Sequence, residues 1–208
     1  MNRARLIVAH PDDETLWAGG TVIAHPEWDW RIFSLTRRSD PKRSSRFHRA
    51  LSYMGASGAM EDLSDVPGQK PIASDKVKRA ILGLLGKERK FDLIITHGPR
   101  GEYTRHIRHE EVCSAVTDAL LDGEIVSEEI WLFAYEDGGG NYLPRPEEGA
   151  ELFHLPGEVW RKKRYLMEEI YGFSSESWEA RANPRTESFW KFYERDRLRK
   201  WLSGAGNR

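Results

Sequence analysis

The sequence predicts an α/β fold: a mostly parallel sheet with helices on both faces, followed by a C-terminal helical extension. Two observations lead there. Short apolar runs alternate with longer segments of helical periodicity along residues 5–136, as in sheets built from strand–helix–strand units. Two of those runs, "RLIVAH" at 5–10 and "FDLIITHG" at 91–98, are too continuously apolar to have one wet face, which is the pattern of central parallel strands.

Taken in order, residues 5–10 form the first strand and 13–25 the first helix. Gly19 and Gly20 lower helix propensity there and imply close packing on the sheet. "DWRIFSLT", 29–36, gives a second strand, 43–55 a helix closing at Gly55, and "GAMEDL", 58–63, a short strand. The helix over 74–89 carries Val77, Ile81, Leu84 and Leu85 on one face. Strand 91–98 precedes a helix over 108–122 and the strand "EEIWLFAYE", 128–136. "EDGGGNYLPRPEEG", 136–149, is a Gly/Pro-rich loop, either a lid or a plain connection, and helices near 158–171 and 187–202 complete the chain. One domain is expected, with its core over 1–136 and the C-terminal loop and helices over 137–208. Sites in such sheets lie beyond the carboxyl ends of the strands.

Charge is balanced, with 32 basic against 33 acidic residues, which argues against bulk attraction to nucleic acid or anionic membranes. No apolar run is long enough to cross a bilayer, and no signal-peptide pattern opens the chain. The single Cys113 excludes an internal disulfide and suits a reducing compartment, so a cytoplasmic location is expected. "ESFWKFYERDRLRKW", 187–201, has the aromatic and basic residues that contact nucleic acid. Its interspersed acids favour a packed terminal helix instead.

The chemistry concentrates in "RLIVAHPDDETLWAGG", 5–20. The first strand stops at His10, and Pro11, Asp12, Asp13 and Glu14 follow. Adjacent carboxylates repel one another unless positive charge lies among them. A helix start accounts for one or two acids, but not for the histidine. A divalent metal accounts for both: one imidazole and one carboxylate serve as ligands, while a second carboxylate takes a proton from water. The residues alone do not say which aspartate does which. A third ligand is sought in "THGPRGEYTRHIRHEEV", 96–112. His109 leads the stripe Val112, Cys113, Val116 and Leu120, which turns it toward the sheet in the first turn of its helix. If the two apolar strands are neighbours, His109 reaches the first cluster. His106 is either a surface residue or a donor to an oxyanion and acid for a leaving amine. His97 is expected to organise its loop, and His25, His48 and His154 have no supporting cluster.

"AHPDDE" followed by a later H-x-x-H resembles the LmbE-like, or PIG-L, family of zinc-dependent N-acetylglucosaminyl deacetylases, over roughly residues 5–136. The resemblance implies a Rossmann-like sheet and a hydrolase that removes the acetyl group of an N-acetylated amino sugar or glycoconjugate. It implies a Zn2+ cofactor held by His10, Asp13 and His109, with Asp12 as general base and His106 on the oxyanion. Arg43, Arg100 and Tyr103 are the candidate substrate contacts, and Glu14 is expected to anchor the loop. Three departures stand out. Arg108 replaces the acid that many members place in H-P-D-H, so a neutral His106 or an orienting Glu110 is expected. Thr104 stands where a tyrosine is usual, with Tyr103 one step away. Arg46 stands where a glutamate often follows the matched Arg43. The cations Arg37, Arg38, Lys42, Arg43, Arg46 and Arg49 form either a solvated face or a lip for an anionic substrate. Two histidines and a carboxylate also accept Fe2+ or Co2+. The partner implied is a small-molecule amino sugar or glycoconjugate, with no nucleic acid and no transmembrane segment, and a homo-oligomer stays open. The alternatives are a zinc amidase on a non-sugar amide and a binding protein with an idle metal site.

Overall fold

The computed structural model describes residues 2–66, 68, 70–104 and 106–205. The sheet is built around β1 (Arg3–Val8). On one side it pairs in parallel with β2 (Asp29–Ser34), Leu6 opposite Ile32. On the other it pairs in parallel with β4 (Lys90–Thr96), Leu6 opposite Ile95. Parallel strands β3 (Ser57–Met60) and β5 (Val126–Phe133) extend the two sides. Strand β9 (Thr186–Phe192) runs antiparallel to β5, and β8 (Glu151–His154) antiparallel to β9. The seven-stranded order is β3-β2-β1-β4-β5-β9-β8, and β6 (Tyr135–Glu136) and β7 (Arg145–Pro146) form a separate ribbon. From β1 the chain winds outward through α1 (Asp13–Ala24) and α2 (Pro41–Met54). It then crosses back through α3 (Ser74–Leu85) to β4 and continues by α4 (Ile107–Leu121). The β1–β4 border is therefore where the winding reverses, and such borders open a crevice beyond the strand ends.

Both faces of the sheet are covered. Ala4, Leu6 and Val8 of β1 join one core with Trp17 of α1 and Phe47, Leu51 and Met54 of α2. Ile7 and Ala9 join the other with Val77 and Ile81 of α3 and Val112 and Val116 of α4. Burial on two sides explains the unbroken apolar run Leu6-Ile7-Val8. Helix α2 starts at Pro41, before the expected 43, because Asp40 caps it. The Asp40 carboxylate accepts from the backbone N–H groups of Lys42 and Arg43 at 3.0 Å each. Gly55, at φ 71°, ends α2 where expected.

The segment expected to be one helix over 187–202 is instead strand β9 followed by helix α7 (Arg195–Ala205). Its charges mislead because one of them is buried. Glu187 and Lys163 are both fully buried and pair at 2.7 Å. Lys163 comes from α5 (Gly157–Tyr165), which continues into a π-helical turn over Leu166–Ile170. Glu187 also accepts from the backbone N–H groups of Gly20 and Thr21 and from the Thr21 hydroxyl, each at 2.7 Å. A Cβ at Gly20 would lie 2.3 Å from Leu155 and 2.9 Å from the Glu187 carboxylate. Gly20 thus lets Glu187 of β9 and Leu155 press on the helix that carries the first motif. Aromatic residues on both faces of β9, Phe189 in one core and Phe192 in the other, fit strand packing. Among the described residues no helix is long and apolar enough to cross a membrane.

Glu187→Ala removes what is, among the described residues, the only carboxylate on the buried Lys163 ammonium, and strands three α1 donors. It is expected to cost about 3–5 kcal/mol of folding free energy in urea denaturation. A loss below about 1 kcal/mol would mean the pair is not what fastens β9 to α1.

Candidate active site

His10 follows directly on β1, and the chain turns sharply over Pro11 and Asp12 into α1. Asp12 sits at φ 119°, ψ −30°, a left-handed conformation rare for a residue with a Cβ and worth on the order of 1–3 kcal/mol of strain. Glu14 holds the turn. One of its carboxylate oxygens accepts the Asp12 N–H at 2.9 Å, and the other accepts the hydroxyls of Thr15 at 2.7 Å and Tyr171 at 2.5 Å. The turn aims Asp12 into the pocket and leaves Asp13 beneath His10.

His109, in the first turn of α4, meets that group across the β1–β4 border. His10 Nδ1 lies 3.0 Å from Asp13 Oδ2 and 3.2 Å from His109 Nε2, and His109 Nε2 lies 3.4 Å from Asp13 Oδ2. A tetrahedral ion with bonds of about 2.0–2.1 Å needs donors roughly 3.3–3.4 Å apart, so the triangle fits a divalent cation. Each imidazole also has a carboxylate on its other nitrogen. Asp65 Oδ1 stands 3.3 Å from His10 Nε2, and Glu102 Oε2 stands 2.5 Å from His109 Nδ1. Such carboxylates set the tautomer and raise the basicity of ligand histidines.

Two wider sets share His109: His10, His106 and His109, and Asp13, His97 and His109, each with donor atoms within 4.8 Å of one another. In the second set His97 has already spent its lone pair. Its Nε2 accepts the backbone N–H of Ala9 at 2.9 Å, and its Nδ1–H points to Glu102 at 2.9 Å. Its role is to tie the ends of β1 and β4, consistent with a loop-organising residue.

The electrostatics follow from burial against these partners. Burial alone would lower both imidazoles. Asp13 and Asp65 raise His10 to about 9, and Asp13 and Glu102 raise His109 to about 10. Burial would raise Glu102, yet His97 and His109 hold it at about 2. Asp13 is likewise pulled well below the usual carboxylate range, against its burial, by His109 and His10. Asp12 moves the other way: burial and the Asp13 charge push it up to about 8, against the pull of Arg43. His106 is held down at about 4 by burial and then by His109 and His10, so it is neutral, and its buried Nδ1 has no hydrogen-bond partner among the described residues.

No family model matches the sequence, and no curated protein matches it significantly. Solved structures do match. The N,N'-diacetylchitobiose deacetylase of Pyrococcus horikoshii is similar at a TM-score of 0.67 and 14% identity, over 92% of this chain and 84% of that one. The zinc-inhibited form of the teicoplanin deacetylase Orf2 is similar at 0.66 and 13%, over 91% and 97%. GalB, the 4-carboxy-2-hydroxymuconate hydratase of Pseudomonas putida, is similar at 0.64 and 14%, over 93% and 97%. The chain has their fold. One fold hosts different reactions, so the chemistry of this site rests on its own side chains.

Those side chains line a cavity of about 170 Å3 over the donor triangle, bounded by His10, Asp12, Arg43, Tyr103, His106 and Glu179 among others. Arg43 donates to Asp12 Oδ2 at 3.0 Å, so it orients the acid as well as facing the cavity. Tyr103, one position from the expected tyrosine, still flanks the histidines, its ring centroid 5.7 Å from His106 and 5.5 Å from His109. Thr104 is turned away and bonded to Asp137 through its N–H and hydroxyl. Arg100 does not reach this cavity. It pairs with Glu147 at 2.7 Å and lines the adjoining cleft beside the 136–139 loop. Arg108 is not what keeps His106 neutral. It is buried, bonded to Glu111 and to the carbonyls of Ser64 and Lys70, and braces the loop that carries Asp65. Sequence reasoning missed Asp65, Glu102, Trp178 and Glu179. Only Glu102, an acid among three histidines, had a local signal.

Glu102→Gln removes the charge that holds His109 in its tautomer. Zn2+ affinity by isothermal titration is expected to fall about 10–100-fold. An unchanged affinity would remove Glu102 from the site's support.

Proposed function

We propose that the protein is a metal-dependent N-deacetylase that hydrolyses the acetamide of an N-acetylated amino sugar or glycoconjugate, with Zn2+ as its ion. The observation that carries this reading is the triangle of His10 Nδ1, Asp13 Oδ2 and His109 Nε2, with sides of 3.0–3.4 Å, beside a further carboxylate that stays outside it. The deacetylases among the similar structures support the choice of reaction. A divalent cation held there supplies Lewis acidity, making water a better nucleophile and polarising a carbonyl oxygen.

The chain's own residues do the rest. Asp12, steadied by Arg43, faces the cavity and takes the proton from the attacking water. It then returns that proton to the departing nitrogen. Neutral His106 donates an N–H to the oxygen that gains charge in the tetrahedral stage. Tyr103 flanks the reacting group and narrows the water-accessible space above it. Acetate and a free amine are the products. A second reading, hydration of an unsaturated acid, has the likeness to GalB behind it. It is less favoured because the two guanidinium groups lining the cavity among the described residues are already paired, Arg37 with Asp65 and Arg43 with Asp12.

Acetate release from N,N'-diacetylchitobiose by the zinc-loaded protein tests the reading. Asp12→Ala is expected to keep one Zn2+ and lose about 100-fold or more in kcat, whereas His109→Ala loses the metal. Loss of zinc from Asp12→Ala would make Asp12 a ligand instead. A wild-type protein that cleaves a non-sugar acetamide but no N-acetyl sugar would move the substrate to the amidase alternative. Arg43→Ala is expected to lower kcat as well as raise KM, because it frees Asp12; a change in KM alone would leave Arg43 as a plain substrate contact.

A further inference from the structure

The basic segment 37–49 suggests an anionic substrate, but its charges are largely spent. Arg37 binds Asp65 at 2.7 Å, Arg43 binds Asp12 at 3.0 Å, and Arg38 binds Asp62 at 3.2 Å. Lys42, Arg46 and Arg49 do not line the cavity. The opposite wall comes from α6 (Trp178–Ala182), far along the chain from both motifs. There Trp178 stays 37% exposed, its ring centroid 4.4 Å from Tyr103. Glu179 faces the same cavity and has no hydrogen-bond or ion-pair partner among the described residues. Among the described residues four carboxylates, Asp12, Asp13, Asp65 and Glu179, therefore line the cavity against two guanidinium groups. One divalent cation would balance those described carboxylates and guanidinium groups.

We infer that Trp178 and Glu179 form the specificity wall of the site, selecting an uncharged, polyhydroxylated ring and turning anionic substrates away. Aromatic rings continue outward from the histidines: His106, Tyr103, then Trp178, with 5.7 Å and 4.4 Å between successive centroids. A pyranose lays its C–H face on an indole, and its hydroxyls donate to a free carboxylate in charge-assisted bonds. A phosphate at the same place would meet Glu179 as a like charge. The inference names the substrate class of the proposed deacetylase and rests on that reading for the chemistry, although the binding preference is measurable without turnover.

Equilibrium binding of N-acetylglucosamine and of N-acetylglucosamine 6-phosphate to the zinc-loaded protein tests it, with acetate release followed in parallel. The wild type is expected to bind the neutral sugar roughly tenfold or more tightly than the phosphate. Glu179→Gln should shrink that ratio by improving phosphate binding. Trp178→Ala should weaken both sugars about 3- to 10-fold without changing zinc content. Equal or tighter binding of the phosphate by the wild type, a ratio untouched by Glu179→Gln, or no binding of either sugar overturns the inference. Preferential binding with no acetate release would overturn the deacetylase reading and leave the wall standing. Acetate release with no preference between the two sugars would do the reverse.

Discussion

A buried carboxylate organises this molecule. Glu102 has no solvent contact, and burial alone would neutralise it. It stays charged because it accepts from His97 Nδ1, His109 Nδ1 and the Gly98 N–H. Each of those bonds fixes something downstream. The bond to His109 fixes the ring so that Nε2 is directed at Asp13 and His10. The bond to His97 frees Nε2 of that ring to accept the Ala9 N–H, at the end of β1. One side chain thereby locks the ends of β1 and β4 to the first turn of α4. Those are the three places that must hold still for a metal to find three donors at once.

The C-terminal third supports this centre from behind. Tyr171 bonds Glu14, which holds the strained Asp12 turn. Glu187 of β9 grips the backbone of α1 at Gly20 and Thr21 and is neutralised by Lys163. Trp178 and Glu179 close the cavity opposite Arg43. The first motif is thus embedded in contacts that arrive from more than a hundred residues away. The strain at Asp12 persists because those contacts over-determine it.

How much of this was legible in the sequence follows from how local each signal is. The apolar runs at β1 and β4 announce doubly buried strands, and parallel winding constrains where their ends lie, so the meeting of His10, Asp13 and His109 could be anticipated. The choice of partner for each ring's second nitrogen could not. Asp65 reaches His10 from a segment whose Ser64 carbonyl is bonded by Arg108, read only as a cation acting on His106 but in fact buried. Strand β9 was hidden for a related reason. A glutamate in a charged, aromatic stretch reads as helix surface, and only the distant Lys163 makes its burial affordable. Arg100 was misplaced because its loop turns it toward Glu147 rather than the histidines.

The central claim is that one ion binds at the β1–β4 border, on His10, Asp13 and His109 and on neither His97 nor His106. Anomalous diffraction at the zinc edge, from crystals of the zinc-loaded protein, measures this directly. The expected result is a single peak about 2.0–2.2 Å from His10 Nδ1, Asp13 Oδ2 and His109 Nε2. A peak coordinated by His97 or His106 in place of His10, or no peak between those three atoms, would contradict it.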